Sequence, residues 1–197
     1  MNGIDTIFKA AEKLFAEKSF SSVSMDQIAQ KSGMSKGNLY HHFESKEDLY
    51  NQLLFNCHQR VADLLKETES FEGTYLDKIR FFVKEHLKIL MGDPQKTKLL
   101  LKEFSDLIDR NSMYDKRTFF LTNFEMVVNL IDQAKKNNEI TRTCDSKLLA
   151  IQFLSPTFSY LVFQSVAKEM LGDSDPHKNI HLTDQMTENL INGLINK

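Results

Sequence analysis

Residues 36–42 gather Lys36, Asn38, Tyr40, His41 and His42, and no acid occurs between Lys31 and Phe43. Ammonium, amide, phenol and imidazole groups at that density donate hydrogen bonds to phosphate oxygens and base edges. The segment therefore suits a nucleic-acid groove. Ser35 stands immediately ahead, where it caps a helix over residues 36–42. Gly33 ends a preceding helix, because a residue without Cβ enters the left-handed conformation cheaply. That preceding helix begins after Ser24, with Gln27 at capping-box spacing. Two helices joined by so short a turn cross steeply, as in a helix-turn-helix. Ala29 is small enough for the close crossing, and Ile28, Met34 and Leu39 supply the shared apolar seam.

The elements that position these residues are helical throughout, with no sustained period-2 pattern. A first helix, about 4–18, lines up Ile4, Ile7, Phe8, Ala11, Leu14 and Phe15 on one face. A fourth starts after Ser45 and runs to about 68, a fifth covers about 74–91, and a sixth about 95–109. A seventh spans about 113–137 and an eighth about 146–171. A polar loop over 173–178 then leads to a last helix at about 182–196. The fold class is all-α, about nine helices, with a functional division into 1–47 and 48–197.

Residues 7–55, from IFKAAEKLFAEKSF through SKGNLYHHFESKEDLYNQLLF, resemble the amino-terminal domain of TetR/AcrR-family transcriptional regulators. Ala11, Phe15, Ile28, Ala29, Gly33, Ser35, Lys36, Gly37, Leu39, Tyr40, Phe43, Lys46 and Leu49 carry the likeness at the family's spacing. The resemblance implies a three-helix DNA-binding domain followed by a larger helical effector-binding and dimerisation domain. It also implies a homodimeric regulator, usually a repressor, that leaves double-stranded operator DNA when a small molecule binds. Matched onto this sequence, Lys36 faces guanine O6 and N7 and Asn38 reads adenine, while Gly37 admits close backbone approach. Tyr40 and His42 hold phosphates, Ser24 and Lys46 anchor the flanking helix starts, Ser35 combines capping with contact, and His41 contributes. The chain departs from the family at Ser19, where Gly is usual.

Charge narrows how such a reader works. The first 47 residues hold six Lys, six Asp plus Glu and no Arg, whereas many DNA-binding domains are clearly basic. Attraction must then be local, from Lys31, Lys36 and Lys46 together with helix amino-termini. Net charge is −2 over 197 residues, which argues against a protein that coats polyanions. Cys57 and Cys144 lack CxxC or paired spacing, so a reducing, cytoplasmic compartment is the simplest expectation. No apolar run reaches membrane-spanning length. His177 and His181 have i,i+4 spacing but no accompanying ligand set, so no metal is expected. No phosphate-loop, zinc-protease or nucleophile-elbow motif occurs, and neither enzymatic chemistry nor a cofactor is expected.

The eighth helix is apolar over most of its circumference, from Leu148 through Phe163 to Val166, and such a helix must be covered on several sides. One side suits the chain's own core and another a second copy, making 146–171 and 182–196 the expected dimer surface. Pro156 falls inside this helix and removes one backbone hydrogen bond. Polar residues interrupt apolar stripes at His86, Glu103, Asn123, Gln152, Ser155 and Tyr160, beside Phe82 and Phe124. Few polar groups among many apolar ones describe a ligand pocket, here for a small apolar or cationic effector. Glu103 either favours a cation or pairs with a base such as His86. The competing interpretation is a helical small-molecule-binding or scaffold protein whose DNA reader has decayed.

Overall fold

The computed structural model describes residues 3–108, 117–140, 143–171 and 176–194, and their side chains outside 104–118, 160, 164–168 and 170–183. Among the described residues there are nine α-helices, one short 3₁₀ turn and no strand. The helices are α1 (Gly3–Glu17), α2 (Met25–Ser32), α3 (Lys36–His42), α4 (Lys46–Ser70), α5 (Tyr75–Gly92), α6 (Pro94–Ile108), α7 (Arg117–Lys136), α8 (Ser146–Leu171) and α9 (Pro176–Leu194). The last begins six residues before the expected start at 182. Proline at a first helical position forfeits no intrahelical bond and its ring presets φ for the helix. Sequence periodicity alone does not register that start.

The chain divides into two compact units, one formed by 1–60 with 90–119 and the other by 61–89 with 120–197. In the first, Ile7, Ala11, Phe15, Val23, Ile28, Ala29, Leu39 and Phe43 share one core with Leu49, Leu53, Leu54 and Cys57 of α4 and Leu99 of α6. The unit therefore reaches beyond residue 47. Leu49, Leu53 and Leu54 recur on a single face of α4, and burying that face completes the core the first three helices begin. α6 is tied to α1 by polar contacts as well. The Lys96 ammonium lies 3.6 Å from Glu12, and Lys102 donates to the Phe15 carbonyl at 3.2 Å.

The turn after α1 shows how the chain manages without the usual glycine. Ser19 has φ −64° and ψ 153°, which any residue adopts, and it leads into a 3₁₀ turn over Phe20–Ser22. Its hydroxyl hydrogen-bonds that of Ser22 at 2.6 Å. No left-handed residue is needed, so serine costs nothing here.

In the second unit Leu64, Leu65, Ile79, Phe82, Val83, Val127, Ile131, Leu149, Phe153 and Ile191 form the core. The opposite side of α8 stays open: Leu148, Ile151, Val162 and Phe163 are each more than half exposed. Pro156 is buried within the helix. Next to it, Ser155 Oγ donates to the Ile151 carbonyl and Thr157 Oγ1 to the Leu154 carbonyl, both at 2.7 Å. Arg80 of α5 grips α9 in a fork, Nε to Glu188 Oε1 at 2.6 Å and an Nη to Oε2 at 3.1 Å. Its other Nη holds Asp77 at 3.0 Å. The amino-terminus of α5 is closed by Glu139, whose two oxygens accept from the Tyr75 and Leu76 amides.

Candidate nucleic-acid interface

Ser24 and Gln27 form a reciprocal capping box at the start of α2: the Gln27 amide donates to Ser24 Oγ at 3.2 Å, and the Ser24 amide to Gln27 Oε1 at 2.9 Å. At the far end Gly33 takes φ 69°, and its amide closes on the Ala29 and Gln30 carbonyls. The next helix starts at once, with Ser35 Oγ accepting from the Asn38 amide at 3.1 Å. Both serines placed at the interface by the sequence thus spend their oxygens on helix ends in the free protein.

α3 is anchored from behind by Leu39, fully buried, with Phe43 buried beyond its end. Lys36, Gly37, Asn38, Tyr40 and His41 are exposed, and His42 is half-buried. Tyr40 is an exposed aromatic, 49% open to solvent. The His41 and His42 rings meet edge to face, 5.2 Å between centroids. The result is one short helix with hydrogen-bond donors along its open side and a rigid apolar back. That is the physical requirement for groove reading.

Two lysines of the expected set are already engaged. Lys36 Nζ lies 2.9 Å from both carboxylate oxygens of Asp26, on the first turn of α2. Lys46 turns inward: its ammonium donates to the Phe20 carbonyl at 3.0 Å and the Val23 carbonyl at 2.9 Å. It also lies 4.3 Å from the centre of the Phe20 ring. In the free protein Lys46 therefore organises the connection between α1 and α2.

The expected pocket residues are divided between the two compact units. Glu103 belongs to the first unit, where its Oε2 meets His58 Nε2 at 2.8 Å, while Oε1 is buried without a hydrogen-bond partner. His86, the base expected beside it, lies in the second unit, stacked on Phe82 at 5.3 Å. Complete burial pushes the His86 imidazolium down to about 4, and Nδ1 has no hydrogen-bond partner. Asn123 is buried and Phe124 half-buried against the core of the same unit. Gln152 and Ser155 fall on the open side of α8, beside Leu148 and Ile151. The side chains of Tyr160, His177 and His181 lie outside those described. Sequence reasoning missed His58, although its place between Leu54 and Val61 on the buried stripe of α4 was a usable signal. It also missed Asp26 as the partner of Lys36, since that pairing depends on how α2 and α3 cross.

Residues 7–53 match the model of bacterial regulatory proteins of the tetR family. The chain is 31% identical over 75 residues to the negative transcriptional regulator IcaR of the biofilm operon icaADBC in Staphylococcus epidermidis. That match covers 36% of this chain and 40% of the relative's length. The fold is shared with the ketosteroid regulator KstR2 of Mycobacterium tuberculosis (TM-score 0.76, 15% identity, 100% and 96% of the two chains). It is also shared with FadR of Bacillus subtilis, solved with stearoyl-CoA (TM-score 0.69, 19% identity, 96% and 98% of the chains).

Proposed function

We propose that this chain, which belongs to the tetR family of bacterial regulatory proteins through residues 7–53, is a homodimeric repressor released from operator DNA by a small molecule. The observation that carries the reading is α3: capped by Ser35, backed by buried Leu39, and presenting Lys36, Asn38, Tyr40 and His41 outward. Residues 1–47 act as the reader and 48–197 as the effector and dimer region. In this reading Lys36 and Asn38 meet base edges, and Gly37 admits the backbone to the groove. Tyr40, His41 and His42 hold phosphates, with Ser24 and Ser35 offering hydroxyl protons. Lys46 acts by holding the α1–α2 connection in shape.

The open side of α8 supports a dimer, since four large apolar residues more than half exposed call for a partner surface. Paired readers would then address half-sites about one helical turn, roughly 34 Å, apart. α4 begins with Lys46 in the reader and continues unbroken to Ser70, so a ligand that displaced α4 would change that spacing. Release requires tighter effector binding to the state that does not fit DNA. An apolar effector is the better choice. One Glu103 oxygen is already bonded to His58, which weakens the case for a cation; one fold neighbour is named a ketosteroid regulator and another was solved with stearoyl-CoA, whose acyl chain is apolar.

The test is selection of bound sequences from a random duplex pool, with enriched sites re-measured at two salt concentrations. An inverted repeat bound by the dimer, weakened by salt and relaxed at one position per half-site in Lys36→Ala, is the expected result. A folded dimer that enriches nothing would favour a decayed reader. The charge balance of residues 1–47, six Lys against six acids, is the observation on that side.

A further inference from the structure

We propose that Asp26 sets the sequence selectivity of the reader by competing with DNA for the Lys36 ammonium, an inference that rests on α3 being the reader. Asp26 stands on the first turn of α2, exposed, and both its oxygens lie 2.9 Å from Lys36 Nζ. The cap of α2 is supplied by Ser24 and Gln27, so Asp26 is not needed to start the helix. Its remaining intrinsic benefit is a carboxylate near a helix amino-terminus, which is indifferent to Lys36.

The pair changes what Lys36 contributes to binding. A free lysine at α3's first position would bind any phosphate and add one released counterion to the salt dependence. Held by Asp26, it brings no net charge to the duplex, and a phosphate that takes the ammonium leaves Asp26 bare beside a polyanion. A guanine edge offers O6 and N7 as neutral acceptors, so the ammonium can bond there while Asp26 still compensates its charge. Random sequence is penalised more than the cognate base. This agrees with the balance of Lys and acid over residues 1–47.

The experiment is a double-mutant cycle: full-length wild type, Asp26→Asn, Lys36→Met and the double variant. Each is measured against a selected operator and a random duplex across a salt series, with helical content checked by circular dichroism. Asp26→Asn alone should raise random-duplex affinity about two- to fivefold per subunit, the scale an exposed pair carries. It should steepen the salt slope by about one per subunit and lower the ratio of operator to random binding. In the Lys36→Met background the same change removes a bare carboxylate, so it should raise operator and random affinity alike and leave their ratio unchanged. An operator-to-random ratio that Asp26→Asn leaves unchanged in the wild-type background as well would show Asp26 to be only a bare negative charge and overturn the inference, while leaving the DNA-binding reading intact. A wild type that prefers no duplex over random sequence would instead remove the reading and the inference together.

Discussion

The Lys46 ammonium donates to the Phe20 carbonyl at 3.0 Å and lies 4.3 Å from the centre of the same residue's ring. A cation at the start of α4 thereby fixes the turn that leads into α2, with Val23 supplying a second acceptor. Charge-assisted bonds are the strong class of hydrogen bond, and a ring face adds to them. Lys46→Met should cost about 1–3 kcal/mol in urea unfolding. Weakened DNA binding should follow in proportion for operator and random duplex alike. A variant of wild-type stability with lower affinity would return Lys46 to direct phosphate contact.

His58→Leu is the sharper change. It leaves the Glu103 carboxylate buried with neither oxygen bonded to His58, and removal of one partner of a buried pair costs about 3–5 kcal/mol. The double change His58→Leu, Glu103→Met should recover most of that loss, because no buried charge is stranded. Denaturant melts of the three proteins decide it. A single variant within about 1 kcal/mol of wild type would mean water reaches the pair.

His86 gives the protein an acid-sensitive component. Burial lowers its folded value from 6.5 to about 4, so the unfolded chain binds the proton more tightly. Stability from this group is complete above pH 6.5 and is lost as pH falls toward 4, by about 3 kcal/mol in all. His86→Leu should remove that slope. Urea midpoints at pH 7, 5.5 and 4.5 measure it, and parallel pH profiles for the two proteins would show the imidazole already hydrated.

Two glycines of the reader should separate stability from binding. Gly33 has φ 69° with open space around its Cβ position, so Gly33→Ala suffers backbone strain alone, about 1 kcal/mol. Gly37 carries no such strain, and a Cβ there meets only Ser35 Oγ, at 4.0 Å. Gly37→Ala should keep or raise the melting temperature while weakening DNA binding, if α3 enters the groove closely. Unchanged affinity in Gly37→Ala would place α3 farther from the bases.

Much of the reader was legible because its signals are local. Ser24, Gln27, Gly33 and Ser35 act within four residues of their own positions, and the structure shows each doing what its spacing implies. Leu39 was readable as part of the apolar seam behind α3 by the same token. The pocket was far less legible. Polar residues on apolar stripes report that something inward-facing must be satisfied, yet not by what. Glu103 meets His58 across 45 positions of sequence, not His86 at the nearer spacing.

The amino-acid sequence by itself determined the helices, the helix-turn-helix and the apolar circumference of α8, since capping, turn chemistry and periodicity are properties of neighbouring residues; which side of α8 stays open came from the packing. Only the tertiary structure decided which charges are spoken for. Lys36 faces Asp26, Lys46 faces two backbone carbonyls, and Arg80 reaches Glu188 across 108 positions. A long flexible cation takes whichever anion or carbonyl packing brings within about 3 Å, and packing is settled by cores far from the cation in sequence.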